Sequence, residues 1–165
     1  VEWTNAITQR TAAPEDEKFL CGLYGSTRQA EMSALPCTPE TQQALLRMQF
    51  EAQRTHYLSA YPRADHSIVL AAGTPAGRLY VDRREIEMLI VDIALLTTFQ
   101  GQGIGRTLVS ELQREAASSG KTLTGHVGRW NPAAGFWRRL DFAVRDEDEM
   151  YFKFSWGQPR AGCRD

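Results

Sequence analysis

The longest apolar run in the chain, Ile86 to Leu96, leads directly into Gln100-Gly101-Gln102-Gly103-Ile104-Gly105-Arg106 and then into an amphipathic helix. The run Ile-Glu-Met-Leu-Ile-Val-Asp-Ile-Ala-Leu-Leu suits a central strand buried on both faces. Beyond the glycines, Ile104, Leu108, Leu112 and Ala116 recur every four residues, the apolar stripe of a helix that lies on a sheet. Ser118-Ser119-Gly120 stops that helix. A buried strand, a glycine turn and a helix in this order require a sheet with helices packed on it.

The flanking segments extend the pattern. Trp3 to Gln9 reads as a short first strand. Pro14-Glu15-Asp16-Glu17 starts a helix, with Pro in the first turn and acids at the positive end of the dipole. Phe19, Leu20, Leu23 and Tyr24, then Ala30 and Met32, continue it as far as Pro36. Thr38-Pro39 caps a second helix that carries Leu45, Leu46, Met48, Phe50, His56 and Tyr57 and ends before Pro62. Strands are predicted over Ser67–Ala72 and Arg78–Val81, joined by a turn over Gly73–Gly77. Thr122–Val127 is a further strand, Asn131-Pro132 opens a short helix through Leu140, and Phe142–Val144 and Tyr151–Phe154 are the last two strands. The order β-α-α-β-β-β-α-β-α-β-β describes an α/β (α+β) fold with a mixed sheet. With 165 residues, the reading is one domain spanning 1–165.

Composition removes whole classes of function. The chain is 42% hydrophobic and 24% charged, the balance of a folded soluble domain. No apolar run approaches the length of a membrane helix, so no membrane partner is expected. Val1 to Asn5 carry neither a basic region nor an apolar run, so no signal peptide is expected. The net charge of −1 lacks the basic footprint of a nucleic-acid binder. Cys21, Cys37 and Cys163 are odd in number and show no metal spacing. A reduced, cytoplasmic protein fits that usage. His56, His66 and His126 share no ligand spacing, so no metal is expected.

The loop Gln100–Arg106 carries the chemical signal. Alternate glycines let the backbone approach a ligand closely. The N–H groups of the loop and of the helix's first turn, with the helix dipole, make an anion site suited to a pyrophosphate. A plain glycine turn leading into a helix is the competing reading. A P-loop needs Gly-Lys-Ser/Thr, whereas Gly105 is followed by Arg106-Thr107. A Rossmann fingerprint needs G-x-G-x-x-G in a parallel unit, and the spacing here is G-x-G-x-G after antiparallel hairpins.

The remaining pattern, Q/R-x-x-G-x-G/A after a long strand, is filled by Gln100, Gly103 and Gly105, and it resembles the GNAT superfamily of acyl-CoA N-acyltransferases. A second segment, Asn131-Pro132-Ala133-Ala134-Gly135-Phe136-Trp137-Arg138-Arg139-Leu140-Asp141-Phe142, is similar to that family's N-x-x-A-x-x-(F/L)-Y-x-x-x-G-F motif. The resemblance implies a mixed, mostly antiparallel central sheet flanked by helices and splayed between its fourth and fifth strands. Acetyl-CoA would lie in that opening as acyl donor, with no metal. It would be held by Ile93, Ala94 and Leu95, by Gln100, Gly101, Gln102, Gly103, Ile104, Gly105 and Arg106, and by Asn131 and Trp137.

This chain departs from the family pattern at three points. The second segment is one residue short between Asn131 and Phe142. Trp137 stands where the family often has a Tyr acid, and an indole N–H supplies no proton at physiological pH. Asp141 stands where the family has Gly.

The resemblance implies direct attack of an amine on the thioester. Asp92 and Glu87 are the candidate bases, because a charge inside an apolar strand needs a reason. Pairing of Asp92 with an Arg from a helix is the competing explanation. Tyr151 is the candidate replacement for the missing Tyr acid. Tyr24, Arg28, Glu31 and Gln49 on the first two helices are the candidate acceptor contacts. The acidic run Asp146-Glu147-Asp148-Glu149, read as a turn, favours a cationic acceptor. The expected function is transfer of an acetyl group to a primary amine of a small molecule. The alternatives are a protein acetyltransferase acting on lysines or N-termini, and a non-catalytic acyl-CoA-binding module. A homodimer is compatible with this reading.

Overall fold

A computed structural model describes residues 6–129, 131, 133–147 and 149–157. The first strand, β1, is Ile7–Thr11; Trp3 to Asn5 of the expected strand lie outside the described residues. Asp16 caps the turn that follows. Its carboxylate accepts from the Ala13 N–H at 2.8 Å and pairs with Arg10 at 2.7 Å. These contacts, the Arg10 hydrogen bond foremost, hold the Asp16 carboxyl down at about 2.

The expected first helix divides into α1 (Glu17–Ser26) and α2 (Gln29–Ser33). At the break, Ser26 and Thr27 donate their hydroxyls to Leu23 O and Tyr24 O, which compete with helix continuation. Helix α3 spans Pro39–Ala60, and the Thr38 side chain accepts from Thr41 N at its start.

Strands β2 (Asp65–Ala71) and β3 (Thr74–Arg83) form a tight hairpin. Its turn is shorter than the expected Gly73–Gly77. Ala72 and Gly73 both have positive φ, the geometry of a two-residue turn, and Thr74 to Gly77 belong to the strand. Strand β4 (Glu87–Leu95) is followed by a short 3₁₀ turn, Thr97–Phe99, and by α4 (Ile104–Ser119). Then come β5 (Thr122–Gly128), α5 (Ala134–Arg138), β6 (Ala143–Glu147) and β7 (Tyr151–Trp156). Helix α5 is shorter than the expected Asn131–Leu140. Asp141 has φ 62°, so it takes the left-handed turn where the related pattern has glycine.

The seven strands form one sheet in the order β1-β2-β3-β4-β5-β7-β6. Every pairing is antiparallel except β4 with β5. The larger core lies between the sheet and helices α4 and α5 and includes Leu79, Met88, Ile90, Leu108, Leu112, Leu123 and Phe154. A smaller core, with Leu20, Tyr24, Phe50 and Ile68, lies under α1 and α3 on the opposite face. Among the described residues, no helix is long and apolar enough to cross a membrane.

Candidate active site

The parallel ladder between β4 and β5 is short: Glu87 to Ile90 face Thr122 to Gly125, and among the described residues no pairing follows. At the same point the β3–β4 register slips. Val81 faces Ile90 and Tyr80 faces Asp92, so Val91 is an extra residue in the ladder. A bulge bends its strand and raises its twist. Here it accompanies the separation of β4 from β5, and the sheet is splayed between them. Met88, Leu89 and Ile90 are buried, whereas Val91 to Leu95 are only half-buried. The expectation of burial on both faces therefore holds for the first half of the strand alone. Beyond Ile90, the β4 edge that faced β5 carries backbone groups without a strand partner.

That open edge runs straight into the glycine loop. Gln100 Nε2 donates to Leu95 O at 2.9 Å and Gln102 Nε2 to Thr98 O at 2.6 Å, tying the loop to the end of β4. Gly101 and Gly103 have φ of 72° and 83°, conformations that favour glycine. A Cβ built on Gly103 would meet nothing within 4 Å, so the glycine is demanded by the backbone and not by crowding. The first intrahelical bond of α4 runs from Thr107 N to Gly103 O. The N–H groups of Ile104, Gly105 and Arg106 thus have no intrahelical acceptor. Gly105 sits where α4, α5 and β4 converge: a Cβ there would stand 3.5 Å from the Phe136 ring and 3.9 Å from Leu95.

The opposite face of the splayed strand is polar. Ile93 and Leu95 pack toward the α4 core, so Asp92 and Ala94 alternate onto the α3 side. Arg78, 6% exposed on β3, donates Nε to Asp92 Oδ2 at 2.8 Å and also Nη2 to the same oxygen. Arg78 Nη2 further donates to Gln53 Oε1 on α3 at 2.6 Å. Asp92 pairs with an Arg of the neighbouring strand, not of a helix as the competing explanation had it. Its Oδ1 accepts no hydrogen bond from the described residues and is not buried. The Arg78 guanidinium lies 5.6 Å from the Tyr57 ring, which meets Tyr80 edge-on at 5.4 Å. Burial raises the Tyr57 phenol above its ordinary range, and nearby Asp92 adds to that shift, so it stays protonated. His66 stacks on Tyr80 at 4.6 Å, and its buried Nε2 has no hydrogen-bond partner among the described residues. Burial, reinforced by Arg78, lowers its imidazole to about 4.

Of the other candidate contacts, Tyr24 is buried and Arg28 stacks over its ring at 3.9 Å. Burial raises the Tyr24 phenol, and the charges of Arg28, Glu31 and Arg78 also reach it. Gln49 is half-buried on α3 and Glu31 is exposed on α2. Tyr151, 49% exposed, opens β7 and faces Gly128 at the end of β5. Phe152 and Phe154 pack on the α4 side, so alternation places Tyr151 on the face of Asp92, across the splay.

Glu87, Trp137, Asn131 and the acidic run take other places than expected. Glu87 lies at the far end of β4, bonded to Arg84 at 2.7 Å beside a hollow of about 350 Å³ lined by Thr124, Arg145 and Lys153; it is not brought to Asp92. Trp137 is 5% exposed, with edge contacts to Phe136 and Phe142, so it packs in the core and does not line the opening. Asn131 spends its Oδ1 on the Ala133 N–H at 2.9 Å, where it shapes the start of α5. In the acidic run, Asp146 and Glu147 belong to strand β6, Glu147 pairs with Arg129 at 3.2 Å, and Asp148 lies outside the described residues.

Sequence reading missed Arg78 and Tyr80. Arg78 carried the same signal as Asp92, a charge in an otherwise apolar stretch of strand. Among the described residues, no group of three or more His, Cys, Asp or Glu side chains is placed to hold a metal ion.

Residues 63–144 match the Acetyltransferase (GNAT) domain. No curated protein sequence matches the chain. Solved structures share the fold. The PaiA N-acetyltransferase of Thermoplasma acidophilum, in complex with coenzyme A, superposes with a TM-score of 0.69 at 17% identity, over 92% of this chain and 99% of that one. An acetyltransferase of Thermus thermophilus gives 0.65 at 18% identity, over 94% and 99%. A Salmonella typhimurium acetyltransferase that modifies the N-terminal serine of ribosomal protein L7/L12 gives 0.63 at 17% identity, over 93% and 96%.

Proposed function

Because the chain belongs to the GNAT family of acetyltransferases, we propose that it moves the acetyl group of acetyl-CoA onto the primary amine of a small molecule, with both substrates bound together. The observation that carries the reading is the splay itself: an open β4 edge with an anion-binding loop at its end and a carboxylate, Asp92, on its other face. The reading takes 1–165 as one acyltransferase domain in the cytoplasm.

The residues present fit acetyl-CoA. The N–H groups of Ile104, Gly105 and Arg106, which have no intrahelical acceptor, suit its pyrophosphate. The open edge at Ile93, Ala94 and Leu95 suits the pantetheine arm and the thioester oxygen. Acetyl-CoA would supply the activated acyl carbon, with the coenzyme A thiolate as leaving group. Holding both partners in one cleft provides much of the acceleration through orientation.

Arg78 holds Asp92 by one oxygen, so the carboxylate keeps a fixed rotamer while Oδ1 stays free to take a proton from the incoming ammonium. Helices α1 and α3 cover this face, which favours a compact acceptor over a folded polypeptide. Tyr151, across the splay, serves in this reading as the acid that returns a proton to the departing sulfur. Trp137 has no such part.

Thiol release from acetyl-CoA across an amine panel tests the reading. Turnover of free small amines supports it. Turnover of peptides alone identifies a protein acetyltransferase, and tight coenzyme A binding without turnover identifies a binding module.

A further inference from the structure

Among the described residues, the acceptor face carries a cation that forms no ion pair with a carboxylate. Arg78 is matched by Asp92, but Arg28 is not matched. Its guanidinium lies 3.9 Å from the Tyr24 ring centroid, and Nη1 makes one long hydrogen bond, 3.4 Å, to the neutral Thr27 hydroxyl. No ion pair among the described residues includes it. Stacking on an aromatic face holds the guanidinium plane and leaves its N–H edge available, the arrangement that receives a carboxylate in a two-bond fork.

Arg28 shares its surroundings with the candidate base. The Tyr24 ring under Arg28 meets the Phe50 ring on α3 at 5.8 Å, and one turn further along α3 Gln53 accepts from Arg78, which in turn holds Asp92. Glu31 also reaches Tyr24, but it is exposed on α2, where water and salt screen it. Among the described residues, the face therefore presents a carboxylate oxygen without a hydrogen bond, Asp92 Oδ1, and a half-buried guanidinium outside any ion pair, Arg28.

We infer that the acceptor is zwitterionic: a small amino acid whose amine is received at Asp92 and whose carboxylate is received at Arg28. This deepens the proposed function and rests on it. It also replaces the cationic acceptor expected from the acidic run with one that carries both charges.

The test compares kcat/KM for three matched series in the acetyl-CoA thiol-release assay. The series are unbranched amino acids with one to five carbons between amine and carboxylate, their carboxamides, and the diamines of equal length. At the best chain length the amino acid should exceed its carboxamide on the order of tenfold or more, the worth of one charge-assisted pair. Arg28→Gln should bring that ratio close to one, mainly through the amino acid's KM. Arg28→Lys should restore part of it, and Glu31→Gln should leave it high. Preference for the carboxamides or the diamines overturns the inference, as does an undiminished ratio in Arg28→Gln. Either result leaves small-amine acetylation standing. Turnover confined to peptides overturns both, and calorimetry with coenzyme A alone then reports whether the donor site survives.

Discussion

Arg78 and Asp92 are diagonal neighbours on one face of the β3–β4 ladder, and both donor groups of the guanidinium that reach Asp92 end on the same oxygen, Oδ2. Half of the carboxylate is consumed in holding it still; the other half is left for chemistry. Replacing Asp92 by Asn keeps the shape and an acceptor for Arg78 but removes the charge. The expected result is a fall in kcat of about 10²–10⁴, the usual weight of a general base, with coenzyme A affinity nearly unchanged. An Asp92→Asn enzyme with wild-type kcat would assign proton removal to water or to another group.

Arg78 is also structural. Arg78→Met leaves Asp92 without its cation in a part-buried site, which costs on the order of 3 kcal/mol. Asp92→Asn should cost clearly less, since the amide oxygen still accepts from Arg78. Urea midpoints for the two variants give the comparison, and equal losses would contradict it.

Gly103 is the position where the coenzyme A loop is most exposed to substitution. Its φ of 83° at the start of α4 is strained for any β-branched residue. Gly103→Val should lower coenzyme A affinity by at least about tenfold in calorimetry by displacing the first-turn N–H groups. The buried stripe Ile104, Leu108, Leu112 and Ala116 still anchors the helix, so cooperative melting persists. Unchanged affinity would move the pyrophosphate elsewhere.

Trp137 acts through packing. Trp137→Phe retains edge contacts with Phe136 and Phe142 and should keep most of the turnover. Trp137→Ala opens a cavity and should cost about 3–5 kcal/mol in denaturant melts. A rate collapse in Trp137→Phe at full stability would give the indole N–H a role in the reaction.

His66 sets a pH dependence of stability. Its folded-state value of about 4 lies below the ordinary 6.5, chiefly through burial. Between those two values the unfolded chain binds the extra proton and the folded chain does not. The His66 contribution therefore falls as pH drops from about 6.5 toward 4 and levels off below. His66→Phe, which keeps the stack on Tyr80, should flatten the urea midpoint across pH 4–7 relative to the wild type. Parallel profiles for the two proteins would remove His66 as the cause.

Local physics settled most of this chain in advance. The four-residue stripe from Ile104 to Ala116, the Thr38-Pro39 cap and the alternate glycines of Gln100–Arg106 each act within one or two turns of backbone, so their consequences are written in adjacent residues. The kinship of the loop and of the Asn131–Phe142 segment followed from the same short-range patterns. What local pattern does not encode is which strand edges find partners. The β4–β5 ladder stops at Ile90, and only that stop turns an apolar strand into an open edge. Nor does it encode side-chain partnership across strands. Asp92 was conspicuous as a charge in an apolar run, but its partner, Arg78, is 14 residues away on a neighbouring strand. Trp137 and Glu87 are separated from the opening by packing and by strand length, two effects that arise only when distant segments share one volume.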